Sequence, residues 1–129
     1  MTEQLENRKT ILLLEDDSAL NHAITLMLEK KGHRVISTMR AEDALEVLNS
    51  EHPDIFVIWL DILLPGMNGL EFLAKVREDE KYRDMKVVVC SVSGDENTRD
   101  TALKLGATDY LVKGDYGLDD LVGKVLSYT

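Results

Sequence analysis

Several acids in this sequence could act together as a cation site. Three of them, Glu15, Asp16 and Asp17, follow one short apolar run, and Asp61 ends another. Two carboxylates about 4 Å apart repel by roughly 4 kcal/mol at an effective dielectric near 20, so a cluster favours protonation or a bound cation. Because the acids offer only oxygen ligands, we expect Mg²⁺, with Mn²⁺ as a substitute. Zinc is disfavoured, since Cys90 is the only cysteine.

The elements that must position these acids follow from the apolar pattern. Short apolar runs predict five strands, at 11–14, 35–36, 55–60, 87–90 and 110–112. Apolar residues spaced by three and four predict five helices, through 20–28, 41–48, 70–76, 101–105 and 118–126. Strands that alternate with helices imply an α/β fold with a doubly wound parallel sheet. The short connections favour one domain over residues 1–129, with a flexible tail at 1–8.

The predicted strand ends bring the chemical groups to one rim. In open parallel sheets, ligands bind outside the carboxyl ends of the strands. Ser91 closes the fourth strand and Lys113 the fifth, so a hydroxyl and an ammonium group are expected beside the acids. Asp17 has a simpler explanation as the residue that opens the first helix. Trp59 and Cys90 lie within strands and are expected in the core.

Composition narrows the class of protein. The chain has 129 residues and a formal net charge of -9, so its surface would repel a nucleic-acid backbone on average. Its apolar runs are far shorter than the roughly 20 residues of a membrane helix. One cysteine cannot form an internal disulfide, and the first residues lack the pattern of a secretory signal. We expect a cytoplasmic protein that contacts neither membrane nor nucleic acid directly.

The sequence resembles the receiver domain of two-component response regulators, in its single-domain form that is similar to chemotaxis regulators. The match runs from about residue 9 to the end. It rests on five features: the acidic pair Glu15-Asp16, the phosphoacceptor loop 61–69, the hydroxyl of Ser91, the lysine Lys113 and the aromatic switch position Tyr110. The resemblance implies a (βα)5 flavodoxin-like fold with strand order 2-1-3-4-5.

It also implies a mechanism. Asp61 would accept a phosphoryl group from a phosphohistidine on a sensor histidine kinase or a histidine phosphotransfer protein. Mg²⁺ would be held by Asp16, Asp61 and the backbone carbonyl of Leu63, with Glu15 acting through water. Lys113 would pair with one phosphoryl oxygen. Such a domain is not an enzyme beyond catalysing its own phosphorylation and autodephosphorylation.

The resemblance further implies a conformational switch. Ser91 would move to donate a hydrogen bond to the phosphoryl group, and Tyr110 would fill the space that it leaves. The fourth helix, fifth strand and fifth helix would then repack and bind a downstream protein. The protein would be a monomer or a phosphorylation-dependent dimer.

Four positions depart from the family pattern. Pro53 precedes Asp61 by eight residues rather than six, and Gly114 follows the lysine where proline is usual, so that peptide is expected to be trans or strained. Val92 places two methyl groups next to the acceptor, which predicts slower phosphoryl entry, slower attack by water, or both. Leu63 is apolar where polar residues often assist hydrolysis, which predicts a longer-lived phosphoryl state.

These departures keep an alternative open, namely a phosphorylation-independent interaction module on the same fold. An enzyme of the haloacid dehalogenase type is disfavoured, because it needs a second aspartate where Leu63 lies.

Overall fold

The computed structural model describes residues 9–50 and 54–129 and contains a five-stranded parallel sheet. Its strands are Thr10–Leu14 (β1), Arg34–Thr38 (β2), Ile55–Leu60 (β3), Lys86–Ser91 (β4) and Asp109–Val112 (β5). They lie in the order β2-β1-β3-β4-β5, and every neighbouring pair is parallel. This order confirms the fold that the resemblance implies.

A helix follows each strand. The helices are Ser18–Lys30 (α1), Ala41–Asn49 (α2), Gly69–Glu78 (α3), Glu96–Lys104 (α4) and Leu118–Leu126 (α5). Gly32, just after α1, has φ of +92°, a conformation that glycine adopts without strain, and the chain turns away from the helix there. Helix α4 begins earlier than its apolar stripe indicates, because Asp95 caps it by accepting a hydrogen bond from the Thr98 amide.

The sheet separates two apolar cores. Leu12 and Leu14 of β1 face α2, α3 and α4, whereas Ile11 and Leu13 face α1 and α5. Because successive strand residues point to opposite faces, a strand buried on both sides must be apolar at nearly every position. Trp59 and Cys90 are buried in the α1–α5 core, as predicted.

The strand order creates a crevice at the carboxyl ends of β1 and β3, where the direction of winding reverses. Hydrogen bonds continue the sheet by one residue there. The amide of Asp61 donates to the carbonyl of Leu14 at 2.9 Å, and the amide of Glu15 donates to the carbonyl of Thr38 at 3.1 Å. These bonds fix the backbone of both acids at the rim.

Of the departures from the family pattern at Gly114 and Pro53, the structure describes only the first. The Lys113–Gly114 peptide is trans, since no described peptide bond is cis, and residues Lys113–Asp115 form a short 3-10 turn. Pro53 lies outside the described residues, as does the tail at 1–8 that is expected to be flexible.

Candidate functional site

The three acids that follow β1 have different surroundings. Glu15 is buried, with 1% of its surface exposed, whereas Asp16 is exposed. Asp17 caps α1 by accepting a hydrogen bond from the Leu20 amide at 3.1 Å, which agrees with its predicted role in opening that helix. The Asp17 amide in turn donates to Oε2 of Glu15 at 3.1 Å. One short loop therefore presents a buried and an exposed carboxylate side by side.

Asp61 directly follows β3, and only 4% of its surface is exposed. Its Oδ1 accepts a hydrogen bond from the amide of Leu63 at 3.3 Å. Burial and the nearby charge of Glu15 raise the pKa of Asp61 to about 7, although Lys113 and the Leu63 amide act in the opposite direction. Without a further cation, this carboxylate is ionised at a substantial cost.

The acids converge as a cation site requires. One carboxylate oxygen from each of Glu15, Asp16 and Asp61 lies within 4.8 Å of the others. The donor set consists of oxygen alone, and the exposed Asp16 leaves the cluster open to solvent, which suits a magnesium ion that keeps several waters. The residues therefore fit the metal that the sequence predicts.

Lys113 enters this cluster from the end of β5. Its Nζ lies 2.5 Å from Oε1 of Glu15 and 3.6 Å from Oδ2 of Asp61. Burial would lower the pKa of Lys113, but the hydrogen bond from its ammonium group to Glu15 and the charge of Asp61 outweigh burial and raise it. The lysine is therefore charged at neutral pH and bridges the two buried acids.

The two predicted switch residues meet at a third residue. The Oγ atom of Ser91, which is fully buried, accepts a hydrogen bond from the amide of Ser93 at 3.3 Å. The hydroxyl of Tyr110, also buried, donates to the carbonyl of Ser93 at 2.8 Å. The loop after β4 thus connects the serine at the rim with the tyrosine on β5.

The rim around Asp61 carries exposed apolar side chains. Leu63 is 57% exposed and Val92 is 65% exposed. The sequence predicts both as apolar neighbours of the acceptor, and the structure places them on the loops that follow β3 and β4.

Sequence reasoning missed one polar residue of this region, Asn21. It lies buried in α1, and its amide group donates to the carbonyl of Glu15 at 3.0 Å and to that of Thr38 at 3.1 Å. A signal was present, because Asn21, Ile24 and Leu28 share one buried stripe of the helix. A polar residue on such a stripe requires buried hydrogen-bond partners.

The fold and the acidic rim define a class of small α/β domains with a clustered carboxylate site, and comparison with known proteins gives the family. Residues 11–125 match the family model of the response regulator receiver domain. The chain belongs to this family. Among the described residues, no helix is long and apolar enough to cross a membrane.

Named relatives agree with this assignment. The chain is 35% identical over 104 residues to the transcriptional regulatory protein AfsQ1 of Streptomyces coelicolor, a match that covers 81% of this chain and 44% of the relative. The chain thus spans less than half the length of that curated relative.

Two solved structures resemble it as well. The Mn²⁺-bound response regulator Rcp1 is 27% identical with a TM-score of 0.77, covering 92% of this chain and 90% of that one. The phosphorylated cyanobacterial phytochrome response regulator RcpA is 28% identical with a TM-score of 0.79, covering 93% and 90%.

Proposed function

We propose that Asp61 is the phosphoacceptor of this receiver domain and that a phosphohistidine on a sensor histidine kinase or a histidine phosphotransfer protein is the donor. The observation that carries the proposal is the convergence of Glu15, Asp16, Asp61 and Lys113 at the carboxyl ends of three strands. A receiver domain is a signalling domain, and the catalysis proposed for it extends only to its own phosphorylation and autodephosphorylation.

The proposed reaction is an in-line displacement at phosphorus. A carboxylate oxygen of Asp61 attacks, the bond from phosphorus to the donor imidazole nitrogen breaks, and the imidazole leaves with the bonding electron pair and takes up a proton. The product on this chain is an aspartyl phosphate. The Leu63 amide, 3.3 Å from Oδ1, holds the carboxylate at a fixed angle while the reaction proceeds.

Residues on this chain would hold the metal ion. Asp16, Asp61 and the backbone carbonyl of Leu63 would be its ligands, and Glu15 would act through water. A bound Mg²⁺ or Mn²⁺ supplies neutralisation of the charge on the carboxylates and on the transferred phosphoryl oxygens. The oxygen-only cluster within 4.8 Å supports this assignment.

Lys113 would exchange one anionic partner for another. Its ammonium group now bridges Glu15 and Asp61, and it lies close enough to the acceptor to donate to an incoming phosphoryl oxygen. A charge-assisted bond of this kind is among the stronger hydrogen bonds in proteins. The lysine thereby stabilises negative charge both before and after transfer.

Ser91 and Tyr110 would form the switch. If the Ser91 hydroxyl turns to donate to the phosphoryl group, its bond from the Ser93 amide changes, and Tyr110 is held by the carbonyl of that same Ser93. Phosphorylation at the rim would therefore reach the face formed by α4, β5 and α5, where we place the downstream protein partner.

The broader expectations stay part of this proposal. They are a single receiver domain over residues 1–129, a cytoplasmic location, no direct contact of this chain with nucleic acid, and a monomer or a phosphorylation-dependent dimer. The chain covers 44% of AfsQ1, which is named as a transcriptional regulatory protein, so the proposal concerns the receiver domain alone.

Intact-mass spectrometry after incubation with acetyl phosphate and Mg²⁺ tests the proposed acceptor. We expect a labile adduct of one phosphate in the wild type, none in Asp61→Asn, and a normal adduct in the control variant Asp17→Asn, which keeps the helix cap. An adduct of equal yield in Asp61→Asn would refute the assignment. No adduct from acetyl phosphate or from a histidine kinase would favour the interaction module.

A further inference from the structure

Asn21 holds two strand ends together beneath the acidic rim. Its Nδ2 donates to the carbonyl of Glu15 at 3.0 Å and to the carbonyl of Thr38 at 3.1 Å. Its Oδ1 accepts hydrogen bonds from the hydroxyls of Ser37 and Thr25. Because carbonyl oxygens only accept, the orientation of this amide is determined by its partners.

This set of bonds offsets the cost of burying a polar side chain on an apolar helix stripe. An amide buried in an apolar environment without hydrogen-bond partners destabilises the folded protein. Asn21 instead has partners for both its amide nitrogen and its oxygen, and those partners lie on α1, on β2 and in the loop after β1. It therefore ties this loop to two neighbouring elements.

The loop that Asn21 holds contains the exposed member of the carboxylate cluster. Glu15 is held by its own side chain, through the Asp17 amide and Lys113. No hydrogen bond or ion pair reaches the carboxylate of Asp16 from the rest of the described chain. The position of Asp16 consequently depends on its backbone, and the peptide that precedes it is the one whose carbonyl Asn21 binds.

We propose that Asn21 is a positioning residue for the metal site, acting through the Glu15–Asp16 peptide. This inference rests on the proposed function of Asp16 as a metal ligand. Removing the amide would free the Glu15 carbonyl and allow Asp16 to leave the common position of the three acids. Loss of a residue that orients a ligand typically weakens metal binding by about 10–100-fold, and we expect Asn21→Ala to fall near the lower end.

Titration with Mn²⁺, followed by the electron paramagnetic resonance signal of the free ion, measures this effect directly. Mg²⁺ competition in the same samples gives the affinity for Mg²⁺. We expect Asn21→Ala to raise the Kd for both ions about tenfold. Urea unfolding of the same variant gives its loss of stability, so that metal affinity and stability are compared in one protein.

Thr38→Val is the matched control. The Thr38 hydroxyl donates to the carbonyl of Leu13 at 2.7 Å, so this variant also loses a buried hydrogen bond at the same end of β2. It leaves the bonds to the Glu15 carbonyl intact. We expect it to lose stability and to keep the wild-type Kd for Mn²⁺.

Ser37→Ala keeps the test decisive if Asn21→Ala fails to fold. Ser37 is exposed and donates to Oδ1 of Asn21, so its removal loosens the amide without opening the core. We expect its Kd for Mn²⁺ to rise about two- to threefold, the factor that corresponds to the low end of the contribution of one hydrogen bond.

The outcomes separate the two proposals. Absence of Mn²⁺ binding in the wild type contradicts the proposed function itself. Wild-type binding with an unchanged Kd in Asn21→Ala overturns only the role of Asn21, as does an equal loss of affinity in Thr38→Val. If Asn21→Ala does not fold, an unchanged Kd in Ser37→Ala overturns that role.

Discussion

Asp61 has two charged neighbours with opposite effects on its ionisation: Glu15 disfavours the ionised carboxylate and Lys113 favours it. Burial and the charge of Glu15 dominate this balance in the absence of a further cation, so the pKa of Asp61 rises to about 7. A nucleophile must be ionised to attack phosphorus. A bound cation would lower this pKa and raise the ionised fraction of Asp61 at neutral pH, and under the proposed function the same cation would neutralise the incoming phosphoryl group.

Asp61→Asn should stabilise the metal-free protein at alkaline pH. Between the ordinary value of 3.8 and about 7, the native state keeps a proton that the unfolded state has released. Stability therefore falls as pH rises through this window, and the loss is complete above it. We expect the variant to be more stable by on the order of 2 kcal/mol near pH 8 and about equal to the wild type near pH 4.

Urea unfolding across this pH range, in a metal-free buffer, measures the difference. The control Asp17→Asn should follow the wild-type curve, because an asparagine side chain caps a helix about as well as an aspartate does. If the free energy of unfolding differs between Asp61→Asn and the wild type by the same amount at every pH, the pKa of Asp61 is not raised.

Val92 should restrict access to the acceptor. It directly follows Ser91 and is 65% exposed, so its two methyl groups stand at the rim. We expect Val92→Ala to accelerate phosphorylation by acetyl phosphate, loss of the phosphate by hydrolysis, or both. Stopped-flow and phosphate-release assays give the two rates, and Phe56→Ala, an exposed apolar change at the opposite end of β3, is the control. If Val92→Ala changes neither rate, Val92 does not restrict access to Asp61.

Among the helices, α3 begins directly against the backbone of Asp61 and Ile62. Asn68 caps the helix by accepting from the Glu71 amide at 2.9 Å, and the amide of Gly69 donates to the carbonyl of Ile62 at 2.9 Å. A Cβ atom at Gly69 would lie 2.5 Å from the carbonyl oxygen of Asp61. Close packing of the first turn against the strand end therefore requires glycine at this position.

Gly69→Ala should displace α3 from this loop. The contact is with backbone, which cannot move aside as a flexible side chain would, so we expect a loss of about 1–3 kcal/mol and slower phosphorylation of Asp61. Gly123→Ala in α5 is the control, since a Cβ atom there meets open space. We expect this variant to raise the free energy of unfolding by about 0.5–1 kcal/mol. Urea unfolding checks both values, and a neutral Gly69→Ala would show that the loop yields easily.

The apolar pattern of the sequence predicted the strands and helices better than the hydrogen bonds that connect them. The run at 55–60 and the acid after it predicted β3 and Asp61, because a strand buried on both faces must be apolar and the first charged residue marks its end. The bonds of Ser93 to Ser91 and Tyr110 were not predictable, since they use backbone groups that every residue possesses. Asn21 was missed because its amide nitrogen binds backbone carbonyls, those of Glu15 and Thr38, which carry no signal in the sequence.

In the molecule as a whole, two apolar cores hold the sheet, and the rim concentrates charge that the fold does not fully neutralise. Two of the clustered acids, Glu15 and Asp61, are buried by the same packing that brings the strand ends together. Folding therefore includes the electrostatic cost of assembling the site. A ligand that removes this cost should stabilise the entire domain.

Mg²⁺ should accordingly raise the Tm of the protein. A ligand that binds only the native state stabilises it by about 2.7 kcal/mol when present at about 100 times its Kd. We expect a smaller increase for Asp16→Asn, which removes one of the three carboxylates. Differential scanning calorimetry with and without Mg²⁺ gives the increase in Tm. An equal increase in the wild type and in Asp16→Asn would exclude Asp16 as a ligand.

The most direct test of the account locates the phosphoryl group chemically. Borohydride reduces an aspartyl phosphate to homoserine, so treatment of the phosphorylated protein followed by peptide mass spectrometry marks the acceptor. We predict homoserine at position 61, formed only when both donor and Mg²⁺ are present. Homoserine at another aspartate, or equal yield at position 61 without Mg²⁺, would contradict the central claim.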